Sequence, residues 1–93
     1  MVMAGNAPNA ETAGRVLPPL TLQPLQEGVC QVLDAGQLHL GNLKWVAGVW
    51  KFKAIGYGAQ GELIPGGGPL TEWHNTRFMQ LDVAEVNAVF CPA

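Results

Sequence analysis

Polar and apolar side chains alternate most regularly between Val49 and Tyr57, where Trp50, Phe52 and Ala54 interleave with Lys51 and Lys53. A period of two sends successive side chains to opposite faces, so this stretch predicts a half-buried β-strand. Asn42 to Val46 alternates in the same way. If Ala47-Gly48 forms a two-residue turn, Trp45 falls opposite Trp50 and Leu43 opposite Phe52, with all four on one face. Each such cross-strand pair adds roughly 0.2–1 kcal/mol. A slip of one residue would send the tryptophans to opposite faces. Ala is not a preferred first residue of a type I′ or II′ turn, so a bulged or longer loop is the alternative. A second turn at Gly58-Ala59-Gln60-Gly61 returns the chain into Glu62-Leu63-Ile64. The expectation is a three-stranded antiparallel meander over residues 42–64.

The flanking segments carry a different period. Leu22, Leu25, Val29, Val32 and Leu33 recur at helical spacing, with Thr21 as an N-cap, Pro24 in the first turn and Gly36 after the end. This predicts a helix near residues 22–34, although Gly28 inside it costs roughly 1 kcal/mol relative to Ala. A strand at Val29–Leu33 is the alternative. Near the C-terminus, Asp82 and Glu85 form a capping box, and Leu81 is placed to staple onto Val86. Val83, Val86, Val89 and Phe90 then make an apolar stripe that stops before Pro92. A small sheet with one apolar face needs a cover, and these helices supply it. The fold class is therefore α+β. Residues 1–15 have no periodicity and read as a disordered tail. Residues 16–20, VLPPL, are an extended lead-in to a single small domain over residues 16–93.

Composition narrows the possible partners. Hydrophobic residues make up 48% of the 93-residue chain and charged residues only 13%, so some apolar surface must stay exposed. That favours a protein partner or a homo-oligomer. A net charge of −2 suits nucleic-acid binding poorly, because affinity for phosphate backbones rests on many Lys and Arg contacts. No apolar run reaches the roughly 18 residues of a membrane span, and the N-terminus has neither a basic nor an apolar leader region. The expectation is a soluble, cytoplasmic protein without a membrane partner. There, Cys30 and Cys91 would be free thiols, unless their Cα atoms lie within the roughly 7 Å that a bridge requires.

Several motifs invite a chemical reading. Gly56-Tyr57-Gly58-Ala59-Gln60-Gly61 matches the GxGxxG dinucleotide fingerprint and is followed by Asp82 at about the right distance for a ribose-binding acid. A helix must open at the third glycine, however, and ELIPGGGP cannot form one, so a hairpin turn is the better reading. Gly66, Gly67 and Gly68 could turn backbone N–H groups towards an anion, yet the Lys and Ser or Thr of a phosphate loop do not follow. The plain alternative is a tight loop. Trp73, His74, Asn75 and Arg77 come next and combine an aromatic plate, an imidazole, an amide and a guanidinium suited to a two-point grip on an oxyanion. The plain alternative is a polar loop with Trp73 plugging the edge of the core.

Lys44, Lys51 and Lys53 would share the sheet face opposite the aromatics, a solvated face or an anion-binding one. Cys30, His39, His74 and Cys91 contain no close chelating pair, so neither a metal nor another cofactor is expected. The run WKFKAIGY…IPGGGP…HNT resembles small bacterial proteins, a likeness that carries no activity with it. The leading reading is a non-enzymatic binding or protein-interaction module using the 65–77 loop and the lysine face beside it. One alternative is a small enzyme, or enzyme subunit, with His74 as acid/base acting on an anionic substrate held by the Gly66–Arg77 loop. Another is a weak single-stranded nucleic-acid binder acting through Lys44, Lys51, Lys53 and Arg77, with Tyr57 or Trp73 stacking on bases.

Overall fold

Residues 16–92 are described by a computed structural model; the tail expected over 1–15 lies outside them. The chain runs through β1 (Thr21–Gln26), β2 (Val29–Leu33), β3 (His39–Val46), β4 (Val49–Tyr57), β5 (Leu63–Pro65), a 3-10 turn (Thr71–Trp73), β6 (Arg77–Phe78) and the helix α1 (Val83–Phe90). The strands form one antiparallel sheet in the order β1-β2-β3-β4-β5, with β6 also paired to β4. The α+β class holds, but the sheet is larger than a three-stranded meander.

The central hairpin has the expected register: Leu43 pairs with Phe52, Lys44 with Lys51, and Trp45 with Trp50. Ala47 and Gly48 both take positive φ, 53° and 84°, the conformation of a type I′ turn. Ala47 thus sits where a side chain is disfavoured, and the paired strands hold it there. Leu43 and Phe52 are fully buried, whereas Trp45 remains half exposed at the hairpin tip with its ring centroid 5.4 Å from that of Trp50.

The helix expected over 22–34 is instead the hairpin β1–β2. Gly28, at φ 77°, is its turn rather than a flaw inside a helix, and Val29–Leu33 is the strand that was the alternative. Thr21 opens β1 instead of capping a helix, and the Gly36 N–H donates to Asp34 Oδ1 in the turn after β2. Pro24 fits because β1 is an edge strand, where a missing ladder donor does no harm. A register shift between Pro24 and Gln26 breaks the alternation of β1, so its apolar residues fall at spacings that mimic a helical stripe.

The helix α1 begins with the Asp82 half of the capping box: Asp82 accepts from the N–H groups of Ala84 and Glu85, and among the described residues no return bond reaches the Glu85 side chain. Val86 and Phe90 are buried, and the Phe90 ring packs on Phe52 at 4.7 Å, Phe78 at 5.7 Å and Trp73 at 5.9 Å. The helix is also tied to the lead-in segment by a two-point amide clamp. Leu20 N–H donates to Asn87 Oδ1 at 2.7 Å, and Asn87 Nδ2 donates to the Leu20 carbonyl at 3.0 Å. The core is built on one sheet face from Cys30, Val32, Leu43, Phe52 and Ala54, with Leu20, Leu70, Phe78, Val86 and Phe90 over them. Cys30 and Cys91 are unbonded, and burial pushes both thiols up. No helix among the described residues is long and apolar enough to cross a membrane.

The glycine loop is fastened directly to β4. A Cβ on Gly68 would collide with the Ile55 carbonyl, and Gly68 also holds φ 88°. Both effects oppose any side chain there. Gly68→Ala is expected to destabilise the protein by roughly 1–3 kcal/mol, read as a lower urea midpoint at unchanged slope; an unchanged midpoint would mean that the loop is not seated on the strand.

Candidate functional site

Strand β4 is hydrogen-bonded along both edges, and the second edge assembles the site. At one end β6 pairs with it, Trp50 opposite Phe78 and Lys51 opposite Arg77. At the other end β5 pairs with it, from Ile55 opposite Pro65 to Tyr57 opposite Leu63. Between them Phe52 exchanges backbone bonds with Asn75 and Thr76, both at 2.7 Å, and Gly66 N–H donates to the Ala54 carbonyl at 2.7 Å. One strand donor remains, the N–H of buried Ala54. It donates to His74 Nδ1 at 3.0 Å. The imidazole therefore does the work of a ladder carbonyl. Because Nδ1 must present a lone pair, the ring proton sits on Nε2, which is left as a donor.

The face of the sheet away from α1 collects the cations. Register places Lys44, Lys51 and Arg77 side by side on β3, β4 and β6, and Lys53 lies two residues along β4 on the same face. Four of the chain's five Lys and Arg residues thus share one surface. The neighbouring cross-strand row runs Gln23, Gln31, Asn42, Lys53, so neither row contains a carboxylate. The lysine face expected from the alternation is present, and Arg77, assigned to a loop from the sequence, extends it from a short strand.

Two further residues join this face through a bulge. Val32 pairs with Gly41 but Leu33 pairs with His39, which makes Leu40 the extra residue. Leu40 turns into the core, and His39 turns to the lysine side. His39 Nε2 lies 2.9 Å from Asn42 Oδ1, so that nitrogen donates; Nδ1, 2.9 Å from the Tyr57 hydroxyl, accepts from it. The relay engages the oxygen of Asn42 and so fixes which way its amide N–H groups point. Local sequence gave no signal for it, since only the bulge brings His39 to that side.

The polar residues Asn42, Lys44, Lys53 and His74 and the apolar residues Ile55, Leu63 and Pro65, together with Gly66, line a pocket of about 440 Å³. Lys53 Nζ donates to Asn75 Oδ1 at 2.6 Å. Gly66 contributes by lacking a side chain, since a Cβ would stand 3.6 Å from His74 Nε2.

The remaining nominated residues divide. The N–H groups of Gly66 and Gly67 are spent on the Ala54 and Ile64 carbonyls, so they do not form an anion cradle. Trp73 packs against the core beside Phe90, on the far side from the lysines. Asn75 (at φ 76°) and exposed Arg77 stay at the rim of the cationic surface. No group of three or more His, Cys, Asp or Glu side chains suited to a metal occurs among the described residues.

Comparison of the chain with models of known families, with curated proteins and with solved structures found no match. The site has to be read from its own chemistry. What it presents is donors and positive charge beside an apolar wall.

Replacing His74 by Ala would leave the buried Ala54 N–H without an acceptor. A cost of roughly 1–3 kcal/mol is expected for such an orphaned donor, measured by chemical denaturation, together with faster hydrogen exchange at Ala54. Unchanged exchange at that amide would show that the imidazole is dispensable to the sheet.

Proposed function

We propose that this protein is a small non-enzymatic binding module whose working surface is the cationic sheet face, and that its partner is an acidic segment of another protein. The observation that carries this reading is the row Lys44–Lys51–Arg77. Like charges directly opposite one another on adjacent strands destabilise a sheet. Here three stand in line, with no carboxylate in the row to relieve them. A run of Asp and Glu side chains laid across the strands would relieve them and would be steered in by the same field.

Two considerations favour a polypeptide over a nucleic acid. Single-stranded nucleic acids are held by aromatic plates beside the positive groove. Trp73 packs on the core and the Trp45–Trp50 pair belongs to the opposite face, which leaves Tyr57, whose hydroxyl is already engaged by His39. The chain also carries a net charge of −2, so its attraction to polyanions is confined to this face. A second copy docking through the same face would bring like charges together, so this surface suits a different molecule. A catalytic role for His74 has less support, because its one basic nitrogen is committed to Ala54.

Lys51→Glu separates stability from binding. The new carboxylate would lie between Lys44 and Arg77, so a gain of roughly 0.5–1 kcal/mol in stability is expected from two opposite-charge neighbours. Binding of a fluorescent Glu-rich peptide, strongest at low salt in the native protein, should be lost in the same variant. A stabilised variant that still bound the peptide would place the docking surface elsewhere.

A further inference from the structure

At the end of the cationic face the surface changes from a charged row into a pocket of mixed character. Its lining combines the polar residues Lys44, Lys53, Asn42 and His74 with the apolar residues Ile55, Leu63 and Pro65. The polar groups are not free to serve any ligand. The His74 ring is oriented by the Ala54 N–H and retains only an Nε2 donor. Asn42 has its oxygen engaged by His39, which turns its N–H groups away from that ring. Lys44 and Lys53 can only donate. All four side chains therefore offer donors, and the pocket is matched to an acceptor-only, negatively charged head.

The apolar lining sets a second requirement. Leu63 is about half exposed, and Ile55 is buried at its foot. Register puts Pro65 opposite Ile55 and Leu63 opposite Tyr57 on this same face, so β5 forms an apolar rim along the donor cluster. An inorganic anion would meet the donors and leave that rim wet. A ligand with a short apolar body would cover it and gain the associated hydrophobic free energy. We infer that this pocket binds small amphipathic anions, an oxyanion head (carboxylate or phosphate) on a short branched or linear aliphatic body.

The pocket is separate from the docking row proposed above: it shares Lys44 with that row but not Lys51 or Arg77. Two specificity elements are assigned to it. The His39–Tyr57 pair fixes which end of Asn42 faces the ligand, a positioning role. Gly66 keeps the imidazole uncovered, since any side chain there would come into contact with Nε2.

The test is a proton–nitrogen NMR titration of the full chain with 4-methylpentanoate, butyl phosphate, inorganic phosphate and 4-methylpentanol. Saturable shifts are expected at Asn42, Lys44, Lys53, Ile55, Gly66 and His74 with the first two. Inorganic phosphate should bind about fivefold or more weakly for want of the apolar wall, and the alcohol should bind weakly or not at all. Stronger shifts with butyl phosphate than with the carboxylate would assign a phosphate head, and the reverse a carboxylate. Lys53→Gln should weaken both ligands about fivefold to tenfold. Equal affinity for the alcohol, non-saturating shifts, or shifts spread along Lys44, Lys51 and Arg77 alone would overturn the inference. Peptide binding without pocket binding would overturn it while leaving the docking face intact, and the converse would do the opposite.

Discussion

The hydrogen-bond demand of β4 is the constraint on which the rest of the molecule depends. A central strand buried over Phe52, Ala54 and Ile55 cannot leave backbone groups unpaired, because each orphaned donor costs on the order of 1–3 kcal/mol. One edge is met by β3 from Val49 to Ala54. The other is shared among two strands too short to stand alone, a stretch of irregular backbone and one imidazole. The glycine loop, the 3-10 turn and the seating of Gly68 on Ile55 all follow from returning the chain to this edge twice. Its route from β5 to β6 leaves the lysine face open, since Leu70 and Trp73 turn to the side of α1 and join the core.

Function and stability are set against each other on the two faces of that strand. Phe52 and Ala54 point to the helix and supply the burial that holds so small a domain together. Lys51 and Lys53 point the other way and bring mutual repulsion with Lys44 and Arg77. A surface under no demand to bind would gain by interspersing carboxylates, and the chain has Glu and Asp to place there. Its acids instead sit in turns and at the start of α1, as with Glu27, Glu62, Glu72 and Asp82. The cost of an unrelieved cationic row is small per pair, so the fold tolerates it.

Much of this could be read in the sequence where the controlling interactions are local. The β3–β4 register followed from alternation and the Ala47-Gly48 turn, and α1 from Asp82 and the stripe ending at Phe90. The lysine face followed from the same alternation. The β1–β2 hairpin was obscured because a bulge at Pro24–Gln26 and the Gly28 turn interrupt the period of two, leaving Leu22, Leu25, Val29 and Val32 at helical spacing. Gly28 was the residue that fitted the helix least, and it proves to be the turn. The role of His74 had no local signal. Its partner lies twenty residues away in sequence, and a loop histidine looks the same whether it faces solvent or completes a sheet.

The direction of hydrogen bonding, more than the count of charges, decides what the site can recognise. A histidine acting in acid–base chemistry needs a nitrogen that can both give up and take back a proton, usually beside a group that orients it. In His74 the lone pair is consumed by a backbone donor, and the ring is left with a single N–H. In His39 both nitrogens are taken by Tyr57 and Asn42. The two imidazoles thus serve as fixed connectors, one completing the sheet and the other turning an amide so that its N–H end faces outward. With Lys44, Lys53 and Arg77 unable to accept at all, acceptors are scarce on this face and donors abundant. A surface with that imbalance is suited to an oxyanion, the ligand class proposed for it, and offers little for proton transfer.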